Sequence, residues 1–317
     1  MKVVMVFPGY SSQFVGMAKE LYDESRLIQE YFEEASNCLN RNFVKLCFAS
    51  SESELRKIDN AYLSIFLVSS SIAKLLMADH GIIPDYVAGY GIGEYSAICA
   101  VDGFSLPDGL YFLLKYAQFY QEFLSTHDIK SVMIKGMLND EIQELCSSLN
   151  NEKIDLSVVL SESSTIVGGF AMEIESLQQK LADKKVKITE VPAQMGLYSS
   201  LMQEVVTNLK AYLEKIDFKD LSVPLLSSIN AKFIKDGKSV KNYVLEAITS
   251  TIYWNKTIQK MEKSAVIIQI GPGSIEANEL QEHYPDKKII SINKPSDIDL
   301  LKDIIETTDT KSEQPES

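Results

Sequence analysis

The run Gly89-Tyr90-Gly91-Ile92-Gly93 places three glycines within five residues. A short apolar strand, Tyr86-Val87-Ala88, runs into it, and a largely apolar helix predicted over residues 94–101 follows it. Glycine lets one backbone approach another closely and accepts a tight turn at little steric cost. The pattern therefore predicts a sharp strand–turn–helix unit, an element of layered α/β folds.

Helices and strands alternate on both sides of that unit. The apolar run at residues 3–7 predicts a strand that is covered on both faces. Helices are predicted over residues 16–22, 28–46, 62–77, 106–124, 197–216 and most of 243–263, and further strands over residues 223–229 and 266–270. This order predicts a parallel sheet sandwiched by helices.

The pattern changes between residues 130 and 191. It predicts strands over residues 132–134, 156–160, 165–167 and 186–191, and helices over residues 140–149 and 174–182. The order strand, helix, strand, strand, helix, strand is that of the ferredoxin-like split βαβ unit. A small α+β subdomain is therefore predicted as an insertion into the larger sheet.

These patterns together predict an α/β fold with a parallel-sheet, α/β-hydrolase-like core and an inserted ferredoxin-like small subdomain. We expect the core to comprise residues 1–128 and 194–307, and the inserted lid to comprise residues 129–193. Residues 308–317 are polar and include a proline, so they are predicted to form a disordered tail.

The balance of charge restricts the partners of the protein. The 317 residues carry a formal net charge of −13, which argues against nucleic acid and anionic membranes as partners. An acidic protein partner would need a local basic patch, for which Lys184, Lys185 and Lys187 form one candidate cluster and Lys287 and Lys288 another. Short lysine clusters are also common on solvated faces, and that alternative stays open.

Cysteine spacing and hydropathy bear on the compartment. The four cysteines are widely spaced, with no C-x-x-C pair, which favours reduced thiols over a disulfide framework or a metal site. No run approaches the roughly 18 consecutive apolar residues of a membrane span, and the first residues do not read as a signal peptide. We expect a cytoplasmic protein without a metal ion.

The glycine-framed turn has a chemical meaning of its own. A strand, a G-x-S-x-G turn and a helix form the nucleophile elbow of α/β enzymes, in which the central residue is exposed at a helix N-terminus. Here the frame is present but its centre is Gly91, which has no side chain to act as a nucleophile. Taken alone the run is a weak signal, and the glycine spacing of a dinucleotide-binding loop is absent.

Further segments make the pattern specific. In chain order they are Phe7-Pro8-Gly9, Ser12-Gln13, Gly16-Met17, Pro84-Asp85 through Ser96, Ser200-Leu201-Met202, Trp254-Asn255-Lys256-Thr257 and Ile270-Gly271-Pro272-Gly273. They resemble, in the same order, the motifs of the malonyl-CoA:acyl-carrier-protein transacylases, which read F-P-G-Q-G-S-Q-x-x-G-M, P-D-x-x-x-G-H-S-L-G-E-Y, F-H-S-x-L-M, W-x-x-S/T and V/I-G-P-G. The resemblance covers nearly the whole chain.

The resemblance also implies where that family's functional residues would fall. The nucleophilic serine falls on Gly91, the histidine base on Tyr198, and the arginine that holds the malonyl carboxylate on Tyr116. The glutamine of the opening motif falls on Tyr10, the elbow histidine on Tyr90, and a further glutamine on Tyr62. The three arginines and three histidines of the chain lie elsewhere, at Arg26, Arg41, Arg56, His80, His127 and His283. We therefore expect a degenerate site without catalytic residues.

The substituted positions are mostly tyrosines, which permits two interpretations. Large side chains could fill a disused pocket, or they could form an aromatic cleft that holds an acyl or pantetheine group without a covalent step. On the second interpretation the binding residues are Tyr10, Tyr62, Tyr90, Gly91, Ile92, Tyr116 and Tyr198.

Three functions follow from the resemblance. The first, which we favour, is a non-catalytic binder of acyl carrier protein, or of an acyl thioester, in a fatty-acid or polyketide pathway with stand-alone (trans-acting) acyltransferases. The alternative is a hydrolase or decarboxylase of carrier-bound malonyl or acyl thioesters that acts by positioning alone. Ordinary malonyl transfer ranks last. The implied partners are an acyl carrier protein, or a sister acyltransferase or synthase, and the implied ligand is an acyl-CoA or phosphopantetheine thioester rather than a bound cofactor.

Overall fold

A computed structural model of the chain describes residues 2–149, 153–193 and 197–312. Within these residues, six strands form the main sheet. They are β1 Val3–Phe7, β2 Tyr86–Gly89, β7 Leu225–Leu226, β8 Phe233–Ile234, β10 Val266–Ile270 and β11 Lys288–Ile292. The order across the sheet is β11-β10-β1-β2-β7-β8, and every neighbouring pair is parallel except β7 and β8. The predicted parallel core is therefore present.

The buried strands read as continuous apolar runs because helices cover the sheet. Every residue of β1 and of β10 is buried. The helices are α1 Lys19–Glu24, α2 Arg26–Leu39, α3 Phe43–Ala49, α4 Glu52–Leu55, α5 Ile58–Ala78, α6 Gly93–Ala100, α7 Leu106–Thr126, α8 Asn139–Leu149, α9 Ala171–Leu181, α10 Gln203–Leu213, α11 Gly237–Thr249, α12 Trp254–Lys260, α13 Ile275–His283 and α14 Pro295–Ser312.

Helix α5 is the central helix of the core and packs against α6 and α7. Its length and its mean hydropathy of 1.7 would suit a membrane span, but 83% of its most apolar window is buried inside the molecule. A core helix that is covered on all sides has this composition for the same reason that a membrane span does, since neither faces water.

The inserted segment forms a second sheet. Its strands are β3 Ile129–Lys135, β4 Ile154–Ser161, β5 Ser164–Phe170 and β6 Lys187–Val191, and they pair antiparallel in the order β6-β3-β5-β4. With α8 and α9 they follow the predicted split βαβ order. A short strand from the core, β9 Ile252–Tyr253, adds to this sheet parallel to β4. The predicted core and lid boundaries stay a prediction, and residues 194–196 at one of them lie outside the described part of the chain.

Several predicted elements differ in extent. The helix predicted over residues 28–46 is two helices, because Asn40 adopts a left-handed conformation with φ of 48°. The helix predicted over residues 243–263 is interrupted by β9, where the Thr251 hydroxyl donates to the carbonyl of Leu156 at 2.7 Å. The strand predicted over residues 223–229 is reduced to the two residues of β7.

The C-terminal part also departs from expectation. Helix α14 extends to Ser312, so the first residues of the predicted disordered tail are helical, and residues 313–317 lie outside the described part of the chain. The Thr308 hydroxyl donates to the carbonyl of Ile304 at 2.6 Å, a local bond that a helical threonine can make. Helix α13 and strand β11 were not among the predicted elements, because their patterns are short and mixed with charged residues.

Candidate functional site

The glycine-framed turn forms the predicted elbow between β2 and α6. Gly91 has φ of +55°, a left-handed conformation that glycine adopts without strain. Gly93 lies so close to the loop that follows β1 that an added Cβ would lie 2.6 Å from the carbonyl oxygen of Pro8. An added Cβ at Gly9 would likewise lie 2.6 Å from the carbonyl oxygen of Tyr90. The glycines are thus required by the close approach of two loops at the carboxyl ends of β1 and β2.

Tyr198 fills the space directly above Gly91. A Cβ added at Gly91 would lie 3.1 Å from Cζ of Tyr198 and closer still to its hydroxyl oxygen. Burial raises the pKa of Tyr198, and the backbone amide of Ile92 opposes this shift. The amide that follows the centre of an elbow is the usual oxyanion donor. The Tyr198 hydroxyl therefore lies beside the amide that such a site would use.

The predicted tyrosines divide into two groups. Tyr62 and Tyr116 are wholly or almost wholly buried, with ring centroids 5.5 Å apart. Tyr10 borders this group, since its ring centroid lies 6.2 Å from that of Tyr62. Tyr90 points the other way and meets Trp254 edge to face at 5.1 Å. Tyr10 and Tyr90 line an open cleft, whereas Tyr62 and Tyr116 belong to the packed interior.

The packed group contains tyrosines that the sequence did not single out. Tyr120 stacks on Tyr116 at 5.9 Å and donates to the carbonyl of Ala193 at 2.8 Å. Tyr95 lies 6.2 Å from Tyr116 and donates to the carbonyl of Val244 at 3.1 Å. The Tyr62 hydroxyl has no hydrogen-bond partner among the described residues. The rings of this group pack mainly against one another. Burial raises the pKa of all four phenols, those of Tyr62, Tyr95, Tyr116 and Tyr120.

A cleft of about 500 Å³ lies between the inserted sheet and the core. Its lining falls into three parts: Met133, Lys135, Leu160, Ser161, Ser164 and Ile166 from the inserted sheet; Ile258, Ile275, Glu276, Glu279, Glu282 and His283 from the core; and Tyr10 and Tyr90 beside the elbow. Gly91, Ile92, Tyr116 and Tyr198 do not line it. The cleft thus combines apolar and aromatic side chains with polar groups from both walls, and an apolar surface with a small number of placed polar groups is the usual form of a small-molecule site.

Carboxylates from α13 form the polar wall of the cleft. Glu276 is 5% exposed and accepts a hydrogen bond from the amide of Gly9 at 3.1 Å. Burial raises its pKa to about 7. Glu279 accepts from the indole nitrogen of Trp254 at 3.2 Å, and burial raises its pKa as well. The sequence analysis missed this wall, although the spacing of Glu276, Glu279 and Glu282 places all three on one helix face and was available as a signal.

A second buried carboxylate, Glu94, has a different setting. It is 2% exposed, and its Oε1 accepts hydrogen bonds from the hydroxyl of Tyr243 and, at 3.1 Å, from the amide of Ser228. Burial raises its pKa to about 7, and these hydrogen bonds oppose the shift. Glu94 connects the start of α6 to α11 and to the segment after β7, which makes it a positioning residue of the elbow.

None of the three arginines lines the cleft, although Arg56 lies beside Tyr10, whose hydroxyl donates to the carbonyl of Arg56 at 3.0 Å. Arg41 pairs with Asp59 at 2.9 Å, and Arg26 and Arg56 are exposed on the surface. His127 stacks on Phe123 with centroids 4.4 Å apart. His283 ends α13 and lines the cleft. Among the described residues, no group of three or more histidine, cysteine or acidic side chains is placed to hold a metal ion.

The combination of a parallel sheet, a strand–turn–helix elbow and an inserted split βαβ subdomain defines an acyltransferase-type α/β protein. The chain belongs to the acyl transferase domain family, whose match spans residues 4–294. It is 28% identical over 306 residues to the malonyl CoA-acyl carrier protein transacylase of Bacillus subtilis strain 168, covering 94% of this chain and 96% of that protein. It is 25% identical over 304 residues to the Staphylococcus aureus (strain COL) protein of the same name, covering 94% and 97%. The predicted family is thereby confirmed.

Solved structures agree at the level of the fold. The malonyl CoA-acyl carrier protein transacylase of Clostridium perfringens superposes with a TM-score of 0.91 at 19% identity, covering 99% of this chain and 100% of that one. A malonyl-transacylase determined in complex with its type II polyketide-synthase acyl carrier protein superposes with a TM-score of 0.86 at 20% identity, covering 94% and 97%. These similarities confirm the predicted α/β fold class.

Proposed function

We propose that this protein is a cytoplasmic acyltransferase homologue of a fatty-acid or polyketide pathway that binds an acyl carrier protein, or the acyl thioester it carries, without transferring the acyl group. A sister acyltransferase or synthase is the second partner that the proposal allows. Relatives named malonyl CoA-acyl carrier protein transacylase, and a relative seen in complex with its carrier, support the choice of partner.

The observation that carries the proposal is the contact of Tyr198 with the elbow. Its hydroxyl occupies the volume that a nucleophilic side chain at position 91 would need, and it lies close enough to the amide of Ile92 for that amide to oppose the rise of its pKa. An acyl-transfer site needs that volume for the nucleophile and that amide for the oxyanion. Both requirements are opposed by the same side chain.

A second observation supports the loss of malonyl recognition. Tyr116 lies on α7, where the family resemblance places the carboxylate-binding arginine, and it is 1% exposed within the aromatic group. A malonyl carboxylate buried beside tyrosines, with no cation to pair with it, would lose most of its hydration free energy. An acyl group without a terminal carboxylate is therefore the better ligand.

Intact-protein mass spectrometry tests the proposal. The purified chain is incubated with malonyl-, acetyl- and longer acyl-CoA, and a holo acyl carrier protein is then added. We expect no acyl adduct on the chain, no acylated carrier above the carrier-only control, and binding of the holo carrier in a parallel binding assay.

The products distinguish the alternatives. An adduct of this chain, or acyl transfer to the carrier, would identify an unrecognised nucleophile and refute the proposal. Release of free acid from an acyl carrier would indicate a hydrolase, and conversion of malonyl carrier to acetyl carrier would indicate a decarboxylase. Loss of carrier binding with no turnover would also refute the binding role.

A further inference from the structure

The cleft between the inserted sheet and the core has an acidic wall and an apolar floor. Glu276, Glu279 and Glu282 supply the wall, and the cations that line the same cleft are Lys135 and, when protonated, His283. Lys135 is exposed, and its charge acts on Glu279. The wall therefore carries an excess of negative charge when its carboxyls are ionised.

Two polar atoms of residues that line the cleft have no hydrogen-bond partner within the described part of the chain. Oε1 of Glu276 accepts a hydrogen bond from the amide of Gly9, but Oε2 has no hydrogen-bond partner among the described residues. Only 5% of Glu276 is exposed. The Oγ atom of Ser164, on the opposite wall, also lacks a partner within the described residues. A buried polar atom without a partner is costly, which indicates that a ligand group completes its hydrogen bonding.

We propose that this cleft binds a primary alkylammonium group, with the ammonium nitrogen donating to Oε2 of Glu276 and the alkyl chain lying against Met133, Leu160 and Ile166. This inference rests on the proposed function, since a carrier-bound group would enter the same cleft, and it names the class of group that is recognised. An ammonium has three donors, so the bond to Glu276 leaves two for other acceptors of the cleft.

The apolar lining selects the rest of the ligand. Met133, Leu160, Ile166 and Ile258 offer a surface that buries an unbranched chain of several methylenes. A cleft of about 500 Å³ accommodates such a chain with room to spare. A terminal carboxylate would instead meet the like charge of α13, which disfavours binding.

The experiment uses three probes of equal chain length and different head group: hexylamine, hexanol and hexanoate. Binding to the full-length protein is measured by isothermal titration calorimetry at pH 7.5 and by ligand-observed NMR. We expect hexylamine to bind at least about tenfold more tightly than hexanoate, because one head group pairs with the acidic wall and the other is repelled.

Variants assign the effect to Glu276. Glu276→Gln should weaken hexylamine binding about tenfold while leaving hexanol binding within about twofold, since only the ammonium loses a charged partner. Asp286→Asn is the matched control, an equal change of charge on an exposed residue just beyond α13 that does not line the cleft. It should leave the affinity for all three probes unchanged.

A second variant adds a positive charge to the cleft, so the test does not depend on whether Glu276→Gln folds. Ser161 is an exposed residue at the rim of the cleft, and Ser161→Lys adds a cation there. This variant should weaken hexylamine binding and strengthen hexanoate binding. Equal affinity for hexylamine and hexanoate, or no response to either charge change, would overturn the proposal.

The failures of the two proposals are distinguishable. If the holo carrier binds but hexylamine shows no preference over hexanoate, the ammonium site is wrong and the carrier-binding role stands. If hexylamine binds through Glu276 and the holo carrier does not bind, the carrier role is wrong and the ammonium site stands as a site for a free ligand.

Discussion

Gly91 and Tyr198 share one small volume at the carboxyl end of the main sheet. Gly91 supplies a backbone with φ of +55° and no side chain, and the Tyr198 hydroxyl occupies the place that a side chain would take. Tyr198 fits against the elbow only because position 91 has no side chain. The two substitutions are thus physically coupled, which the sequence alone did not reveal.

A double-mutant cycle measures this coupling. Gly91→Ser should destabilise the protein by about 1–3 kcal/mol, since the new side chain collides with Tyr198 and an L-residue at positive φ is strained. Tyr198→Ala should cost about 3–5 kcal/mol because it empties a buried site. The double variant should cost about 1–2 kcal/mol less than the sum, because removing Tyr198 relieves the collision but not the backbone strain, as determined by urea denaturation.

Gly16 provides the control for that cycle. It also has positive φ, of +95°, but an added Cβ there would meet nothing within 4 Å. Gly16→Ser combined with Tyr198→Ala should therefore be additive. If the Gly91 cycle is additive as well, the two residues do not compete for space, and the main support for a non-catalytic elbow is lost.

At the level of elements, Glu94 connects three parts of the core. Glu94 lies in the first turn of α6. Its carboxylate accepts hydrogen bonds from the Tyr243 hydroxyl on α11 and from the amide of Ser228 after β7. Burial raises its pKa from 4.5 to about 7 in the folded protein. The Glu94 carboxylate therefore binds its proton more tightly in the folded state than in the unfolded state.

The stability of the protein should respond to pH through this group. Since the folded pKa lies above the unfolded one, the contribution of Glu94 is fully present below about pH 4.5 and is lost as the pH rises through about 7. Thermal melts of the wild type and of Glu94→Gln between pH 5 and 8 should show the wild type losing stability relative to the variant as the pH rises.

Glu246→Gln is the control for the pH prediction. Glu246 is exposed on α11, the helix that carries Tyr243, and the variant makes the same chemical change. Its difference from the wild type should be constant across this pH range. A constant difference for Glu94→Gln too would mean that the Glu94 carboxyl is already ionised at pH 5 in the folded protein.

Elements also show where sequence patterns succeed and fail. The split βαβ subdomain was predictable because its strands and helices alternate with clear periodicity and are separated by polar turns. Strand β9 was not, since two residues that pair with β4 carry no local pattern of their own. Its pairing joins the inserted sheet to the core, and long-range contacts of this kind become visible only after folding.

At the scale of the whole molecule, charge determines how a partner approaches. The chain carries a net charge of −13, so an acidic carrier would be repelled at long range unless it meets a basic patch. Of the two predicted lysine clusters, Lys287 is engaged, since its Nζ donates to the carbonyl of Ser264 at 3.0 Å and to that of Glu262. Lys184, Lys185 and Lys187 are exposed between α9 and the end of β6.

The cluster on the inserted sheet is therefore the better candidate for carrier contact. Lys184→Glu combined with Lys185→Glu should weaken holo-carrier binding about tenfold at 50 mM salt, and less at 300 mM, because salt screens exposed charges. The matched control is Lys232→Glu combined with Lys235→Glu, two exposed lysines flanking β8. Equal losses in both pairs would indicate a net-charge effect and not a contact.

The sequence by itself determined the class of this protein. The apolar strand runs, the glycine frame of residues 89–93 and the ordered motifs from Phe7 to Gly273 are local, and local patterns suffice to predict strands, turns, helices and a family. The same analysis placed Gly91 and Tyr90 at the elbow, because both lie inside such a motif.

The contacts among these residues become visible only in the folded molecule. Folding brought Tyr198 over Gly91, separated Tyr90 from the packed Tyr62 and Tyr116, and assembled the cleft whose acidic wall comes from α13. The contacts of Tyr198 with Gly91 and of Tyr90 with Trp254 join residues more than a hundred positions apart. They depend on burial and side-chain direction, which arise when the sheets and helices pack and are not written in any local stretch of the chain.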